Sequence, residues 1–165
     1  MILFETPRLM VRQYTIDDME SFFELNSDAE VMKYIRPVKN RSENDVFLRQ
    51  VLEDSRKYPD VGRWAAIEKE TQEIAGSFAI IPVDGTDRMQ LGYALLQPYW
   101  GKGYATELTL GGLDYVRAKK LMDEIYALAE TINHASCKVL EKTGFKRLED
   151  IIVKGKEAAQ YVYLF

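Results

Sequence analysis

The sequence has little of the chemistry that disulfides, metal sites and membrane spans require. It contains one cysteine, Cys137, and one histidine, His134, in 165 residues. A single cysteine excludes an internal disulfide and is typical of a reducing compartment, so we expect a cytoplasmic protein. One histidine cannot build a multi-histidine metal site, so we expect no metal and an organic cofactor if one is used. No apolar run is long enough for a membrane span, and the N-terminus lacks a signal-peptide pattern, which predicts no membrane partner.

Basic residues are not in excess either, which argues against a nucleic-acid partner. The formal net charge is −4, and nucleic-acid-binding surfaces are basic. The excess acid lies in residues 1–33, and the rest of the chain is neutral. Its seven acids and three bases are Glu5, Asp17, Asp18, Glu20, Glu24, Asp28, Glu30, Arg8, Arg12 and Lys33. Two interpretations stay open: an ordinary solvated helix face, or a field that attracts a cationic acceptor.

Length and hydrophobic patterning predict a single mixed α/β (α+β) domain over residues 1–165. The chain is 47% hydrophobic, enough for one full core. Alternating or apolar runs predict strands, and 3.6-residue periodicity predicts helices. The predicted strands are 6–14, 63–68, 73–82, 89–96, 123–129, 145–153 and 158–165; the predicted helices follow Thr15, Asp28, Ser42, the loop ending near Glu107, and Asn133. Gly76 inside a strand indicates a bulge or a close neighbour, and Gly111-Gly112 inside a helix indicates close packing on the sheet.

The most informative stretch joins a buried strand to a helix through a glycine-spaced turn. The strand is Leu91–Leu96, and the turn contains Gly101-Lys102-Gly103. Glycines allow backbone N–H groups to face an anion, and a helix N-terminus adds partial positive charge. The stretch has no Gly-Lys-Ser/Thr ending and no third glycine in the dinucleotide position, which disfavours a nucleotide-phosphate module.

Three motifs resemble the GNAT N-acetyltransferases, in particular the branch of bacterial ribosomal-protein N-terminal acetyltransferases. They are Tyr99-Trp-Gly-Lys-Gly-Tyr-Ala-Thr-Glu107, the opening Glu5-Thr-Pro-Arg-Leu9, and Asn133-His-Ala-Ser136 followed by Lys142-Thr-Gly-Phe145. The loop motif and the Asn133 motif follow one another in the family's order and at its spacing of about 30 residues, and the resemblance spans nearly the whole chain. One departure is Trp100, at a position where the general family pattern has Gln or Arg.

The resemblance implies a mostly antiparallel, twisted sheet with a central strand–loop–helix crossover and acetyl-CoA as co-substrate. Backbone N–H groups of Gly101, Lys102, Gly103, Tyr104, Ala105 and Thr106 would hold the pyrophosphate. A free N–H at Leu95 or Leu96 would polarise the acetyl carbonyl, and Asn133 would contact the pantetheine arm. From the residues alone, Asn133 could equally be the N-cap of the following helix.

Two positions where relatives carry proton-transfer groups differ in this chain. Gln90 stands in the region where many relatives have a glutamate, and Leu140 stands where many have a tyrosine acid. Ser136, one turn after Asn133, is our candidate catalytic hydroxyl, with helix surface as the alternative. Cys137 lacks a nearby base, so we expect a small buried residue rather than an acyl-carrying nucleophile.

These departures favour an acceptor amine that loses its proton easily. An α-amine with a pKa of about 8 needs about 1.4 kcal/mol to be neutral at pH 7, whereas a lysine at about 10.4 needs about 4.6 kcal/mol. We therefore predict acetylation of a protein N-terminal α-amine by a monomer or homodimer. The alternatives are a small-molecule amine acceptor (a polyamine or an antibiotic) and a non-catalytic acetyl-CoA-binding or sensing domain.

Overall fold

The computed structural model describes residues 1–165 and contains five helices and nine strands, besides short 3₁₀ turns. The helices are α1 (Met19–Ser27), α2 (Ala29–Met32), α3 (Arg41–Lys57), α4 (Tyr104–Lys119) and α5 (His134–Lys142). The strands are β1 (Ile2–Glu5), β2 (Leu9–Gln13), β3 (Gly62–Glu68), β4 (Ile74–Pro82), β5 (Met89–Leu95), β6 (Glu124–Glu130), β7 (Lys146–Arg147), β8 (Ile151–Val153) and β9 (Lys156–Leu164).

All nine strands form one sheet in the order β1-β2-β3-β4-β5-β6-β9-β7, with β8 also paired to β9. Every pairing is antiparallel except that of β5 with β6, which are joined by the loop and α4. The predicted mixed sheet with a strand–loop–helix crossover is confirmed. The parallel pair has a single register position, Gln90 opposite Tyr126. Beyond Gln90 the two strands separate, which leaves a splay in the middle of the sheet.

Helices cover both faces of the sheet and divide the core. The larger apolar cluster includes Trp64, Phe78 and Leu108 of α4. The smaller one includes Leu48 of α3 and Ala65 of β3. Side chains alternate between the two faces along each strand, so neighbouring residues such as Trp64 and Ala65 serve different clusters. None of the helices combines the length and the apolar character that crossing a bilayer requires.

The expected close packing at Gly111-Gly112 is confirmed. A Cβ atom on Gly112 would lie 2.4 Å from Cζ of the buried Phe78, and one on Gly111 would lie 2.7 Å from the ring of Phe4. Such distances are well inside van der Waals contact, so only glycine lets α4 approach the sheet this closely. The approach matters because α4 begins at the central loop.

Three predicted elements are wrong in their extent. The strand predicted over 6–14 begins only at Leu9, because Thr6 and Leu9 exchange hydrogen bonds that close a turn around Pro7, and the separate strand β1 before this turn was not predicted. The helix expected from Asp28 to Ile35 ends at Met32, because the N–H groups of Ile35 and Arg36 both donate to the Met32 carbonyl and form a tight turn instead of continuing the helix. The strand 145–153 divides into β7 and β8, because one extra residue shifts its register against β9.

Candidate active site

The central loop presents a helix N-terminus to solvent. Gly101 and Gly103 have φ angles of +70° and +81°, a left-handed conformation that glycine adopts without strain. Gly103 is the N-cap residue of α4, which begins at Tyr104. The three residues from Gly101 to Gly103 are exposed.

Six consecutive backbone N–H groups in this loop, from Gly101 to Thr106, have no acceptor in the protein. The first N–H that bonds into the helix is that of Glu107, which donates to the carbonyl of Gly103 at 3.1 Å. Unpaired N–H groups and the helix dipole together make an anion site. The arrangement suits the two phosphates of coenzyme A, and Lys102 adds a full positive charge beside them.

Arg8, near the N-terminus, forms hydrogen bonds that hold this loop in place. Its Nη1 donates to the carbonyl oxygen of Lys102 at 2.9 Å, and its Nε donates to Oε2 of Glu107 at 2.7 Å. The guanidinium also lies over the ring of Tyr104, 4.4 Å from its centroid. Glu107 accepts further hydrogen bonds from Thr6 Oγ1 at 2.6 Å and from the backbone N–H of Arg8 at 2.7 Å.

The opening Thr-Pro-Arg motif and the loop motif are therefore one structural unit. The sequence contains both motifs, but nothing in it shows that Thr6 and Arg8 share Glu107 as a partner. The side chain of Tyr104 points inward and donates to Oε1 of Glu68 at 2.5 Å. That hydrogen bond raises the pKa of Tyr104 to about 12. Tyr104 thus offers an anion its backbone N–H rather than its hydroxyl.

The two candidate N–H donors at the end of β5 differ. The N–H of Leu96 donates to the carbonyl of Ala75 at 2.9 Å, so it is already used by β4. Hydrogen-bonding directions alternate along a strand, so the N–H of Leu95 points away from β4, toward the splay. Of the two residues, Leu95 therefore has the geometry for an oxyanion donor.

The backbone around Leu95 is held by unusual contacts. Trp100 donates its indole Nε1–H to the carbonyl of Leu95 at 2.7 Å, which gives a role to the residue that departs from the family pattern. On the other side, a Cβ on Gly76 would lie 2.0 Å from the carbonyl oxygen of Ala94. A register shift next to Gly76 confirms the predicted bulge, and the close carbonyl confirms the predicted close neighbour.

Asn133 and Ser136 lie at the start of α5. The Oδ1 of Asn133 accepts a hydrogen bond from the backbone N–H of Ser136 at 3.2 Å, so Asn133 is an N-cap. Its Nδ2 donates no hydrogen bond within the protein and can still bind a carbonyl of the pantetheine arm. Both interpretations of Asn133 are compatible in this geometry.

Sequence reasoning missed Tyr93, which faces Ser136 across the splay. The two hydroxyl oxygens are 3.1 Å apart and join β5 to α5. Burial raises the pKa of Tyr93, so its hydroxyl stays protonated at neutral pH. Tyr93 lies within an apolar run, and no pattern in that run distinguishes it from a core tyrosine.

The remaining candidates have no catalytic geometry. Cys137 is buried, with its Sγ 4.0 Å from the carbonyl of Glu130. Leu140 is buried and apolar. Gln90 donates to the carbonyl of Pro82 at 3.3 Å, at the end of β5 where the strands still pair. His134 is exposed.

Most of the N-terminal acidic residues are used locally. Three form ion pairs: Glu5 with Lys69, Asp18 with Arg12, and Glu20 with Arg41. Asp28 caps α2 and accepts a hydrogen bond from Gln97. These contacts favour the local interpretation of the acidic segment over an attractive field for cations.

The sequence matches a known protein family and its relatives. The acetyltransferase (GNAT) domain profile matches residues 8–146. The uncharacterized N-acetyltransferase p20 of Bacillus licheniformis is 30% identical over 145 residues, which is 86% of this chain and 81% of that protein.

Solved structures show the same fold. A GNAT-family acetyltransferase from Bacillus anthracis superposes with a TM-score of 0.83 at 23% identity, covering 100% of this chain and 98% of that one. RimL, a ribosomal L7/L12 α-N-protein acetyltransferase solved with coenzyme A, gives 0.81 at 15% identity, covering 99% and 98%. A Vibrio cholerae spermidine N-acetyltransferase, solved with coenzyme A and spermine, gives 0.79 at 18%, covering 95% of both chains. The chain belongs to the GNAT family of acetyl-CoA-dependent N-acetyltransferases.

Proposed function

We propose that this enzyme acetylates the free N-terminal α-amine of a peptide or protein. The observation that carries the proposal is the facing pair of Tyr93 and Ser136 at the splay, 3.1 Å apart. These groups are hydroxyls, which can donate a proton to a leaving thiolate but are poor bases at neutral pH. A site built this way suits an amine that is already partly neutral.

The energetic difference between acceptors is large enough to decide between them. Without a base, an α-amine needs about 1.4 kcal/mol to be neutral at pH 7, and a lysine side chain needs about 4.6 kcal/mol. The difference of about 3.2 kcal/mol corresponds to roughly a 200-fold difference in the neutral fraction. Gln90 and Leu140 do not reduce this energy difference, since neither side chain can accept a proton from an ammonium group.

Each residue then has one role in the transfer. The six free N–H groups from Gly101 to Thr106 bind the pyrophosphate, and Nδ2 of Asn133 binds the pantetheine arm. The Leu95 N–H donates to the carbonyl oxygen as the neutral amine attacks the acetyl carbon. The carbon–sulfur bond breaks, and the Ser136 hydroxyl gives the thiolate a proton. Ser136 regains a proton from the Tyr93 hydroxyl, and Tyr93 regains one from water. The proton lost by the attacking nitrogen leaves to water.

The fold of RimL, a protein N-terminal acetyltransferase, supports this choice, and the fold of a spermidine acetyltransferase supports the alternative of a small amine. In this chain, the N-terminal α-amine is favoured over a small amine such as a polyamine because the site lacks a base and therefore suits an acceptor of low pKa.

A pair of matched peptides tests the proposal. One has a free N-terminus and no lysine, and the other has a blocked N-terminus and one lysine. We expect coenzyme A release at pH 7 at least tenfold faster with the free N-terminus. The acetylation rate of the lysine peptide should rise toward pH 9 whether or not the enzyme prefers α-amines, because more of the lysine amine is then neutral. The two peptides are therefore compared at pH 7. Equal rates at pH 7, or turnover with spermidine alone, would contradict an N-terminal acceptor.

A further inference from the structure

Two arginines on the sheet face opposite α4 lack the partners that partly buried arginines normally have. Arg36 follows α2, and Arg63 is on β3; both are half-buried. Neither takes part in any ion pair within 4.0 Å. Arg63 makes no side-chain hydrogen bond, and Arg36 makes one, to Oδ1 of Asn26 at 2.6 Å. The Nε of Arg36 is buried without a partner.

The two guanidinium groups are close to one another. Both lie over the ring of Phe47, at 5.2 Å for Arg36 and 5.5 Å for Arg63, and Lys39 lies 5.0 Å from the same ring. Burial, and then the charge of Arg63, lower the pKa of Arg36 to about 10. Three cations thus surround one phenylalanine. We call Arg36, Lys39 and Arg63 the cationic cluster.

Neutral polar groups beside the cluster are also unpartnered. Tyr14 is only 4% exposed, and its buried hydroxyl has no hydrogen-bond partner. The Nδ2 of Asn44, on the fully buried Asn44, has none either. Buried donors without acceptors are costly and uncommon in proteins. Among the buried groups without partners, Arg36 Nε and Asn44 Nδ2 are donors, the Tyr14 hydroxyl can donate or accept, and Asp45 Oδ1 is an acceptor. The free donors beside the cluster suit an acceptor group that carries negative charge.

The cluster lies on the same sheet face as the open part of β5. Register aligns Arg63 with Ala79 of β4 and with Gly92 of β5. A Cβ on Gly92 would meet nothing within 4 Å, so the surface over that residue is open. Arg63 is two strands from Gly92, about 10 Å, and Leu95 is about 10 Å further along β5. An extended peptide covers that separation in a few residues.

We propose that the cationic cluster binds a carboxylate of the acceptor, so the preferred substrate is a peptide with acidic side chains shortly after its free N-terminus. This inference rests on the proposed N-terminal acetylation and names its substrate class. Arg63 is a specificity-determining residue that contacts the acceptor away from the reacting atoms. Guanidinium groups pair with carboxylates through two parallel hydrogen bonds, which suits the free donors here. A polyamine would be repelled.

The test compares two peptides that share a free N-terminus and differ only at positions two to four, which are Glu in one and Gln in the other. With the unmodified enzyme we expect KM for the Glu peptide to be at least tenfold lower, with similar kcat. In Arg63→Gln the advantage should disappear, and KM for the Gln peptide should stay within about threefold. Arg49→Gln, which removes an exposed arginine of α3 that forms no ion pair, should keep the preference.

Folding and charge are controlled separately. Coenzyme A affinity of Arg63→Gln should match that of the unmodified enzyme, and its melting temperature should change only slightly, because the Arg63 side chain makes no hydrogen bond and the substitution loses only its contact with the ring of Phe47. Arg63→Lys should retain part of the preference for Glu. A preference that is unchanged in Arg63→Gln would overturn the assignment, and so would spermine acting as a better acceptor than the Glu peptide.

A binding measurement separates this inference from the proposed function. The Glu and Gln peptides with acetylated N-termini cannot react, so calorimetry with them reports the anion site alone. Tighter binding of the blocked Glu peptide that depends on Arg63, without acetylation of its free form, would support the site and refute N-terminal acetylation. Acetylation of both free peptides with equal KM would support N-terminal acetylation and refute the site.

Discussion

At the scale of single residues, the proposed chemistry depends most directly on the Tyr93–Ser136 pair. Replacing Ser136 with Ala removes the hydroxyl nearest the proposed thiolate. Tyr93→Phe removes the hydroxyl that is hydrogen-bonded to Ser136. We expect each change to lower kcat at least tenfold, since a positioned acid typically contributes more than that. Coenzyme A affinity should change less than threefold, because pyrophosphate binding uses the loop.

Steady-state kinetics and calorimetry on the same preparations check this expectation. Tyr58→Phe is the matched control, because Tyr58 is exposed and its hydroxyl makes no hydrogen bond. A parallel loss of affinity and kcat in Ser136→Ala would indicate a cofactor-binding role instead of proton donation.

Cys137 is the residue whose chemistry is easiest to overestimate. It is 8% exposed and lacks a base that could generate its thiolate. Cys137→Ala should therefore keep most of the turnover, with a stability loss of about 1 kcal/mol for the small cavity. Mass spectrometry of the enzyme with acetyl-CoA should detect no acetyl adduct at this position. A hundredfold loss of kcat in a folded Cys137→Ala enzyme would restore the nucleophile hypothesis.

At the scale of elements, the loop and the first turn of α4 form the proposed anion site. Gly103→Asp places a carboxylate next to the proposed pyrophosphate and strains a residue at φ +81°. We expect coenzyme A affinity to fall at least tenfold in calorimetry. Gly85→Asp controls for strain, because Gly85 has φ +75° in an open turn away from the loop. Equal coenzyme A affinity in the two variants would show that the loop is not part of the coenzyme A site.

The glycine that lets α4 approach the sheet should be needed for stability. Alanine is favoured over glycine in a helix by about 1 kcal/mol, but a methyl group on Gly112 would overlap the ring of Phe78. Overpacking a well-filled core costs about 1–3 kcal/mol, so Gly112→Ala should lower the free energy of unfolding. Urea denaturation measures it, and adding Phe78→Leu should recover part of the Gly112→Ala loss in a double-mutant cycle. A stabilised Gly112→Ala protein would show that helix propensity outweighs packing here.

Local signals predicted most of these elements, and tertiary contacts explain the exceptions. The loop, α5 and the order of the central strands follow from glycine spacing and apolar runs. The edge strand β1 was missed because four residues beside a proline carry little pattern of their own. The break between β7 and β8 depends on pairing with β9, which no local pattern encodes.

At the scale of the whole molecule, the parts of the site that sequence could not predict are those assembled from distant segments. Arg8 and Glu107 are far apart in the chain and meet only because β2 lies beside the loop. The cationic cluster combines residues from the segment after α2 and from β3. Each arginine alone has the pattern of an ordinary surface residue, and only the fold shows that neither has a carboxylate partner.

The Arg8–Glu107 contact predicts how the stability of the whole enzyme depends on pH. Burial of Glu107 tends to raise its pKa, but hydrogen bonds from Thr6 and Arg8 outweigh this, and the pKa is lowered below its ordinary value of 4.5. A carboxylate with a lowered pKa stabilises the folded state above its unfolded pKa. That contribution is lost as the pH falls through the folded pKa. The unfolding free energy should therefore decrease below about pH 4.5.

Glu107→Gln should expose this contribution. Its unfolding free energy at pH 7 should be lower by about 1–3 kcal/mol, the usual cost of unpairing partly buried charged hydrogen bonds. Its stability should also fall less steeply than that of the unmodified enzyme between pH 5 and pH 3, approximate limits set by the ordinary carboxyl pKa. Urea midpoints at each pH measure both effects, with Glu53→Gln as control because Glu53 pairs only with Lys57 on an exposed helix face. An unchanged pH slope in Glu107→Gln would mean that this carboxylate does not connect the N-terminal strands to the loop energetically.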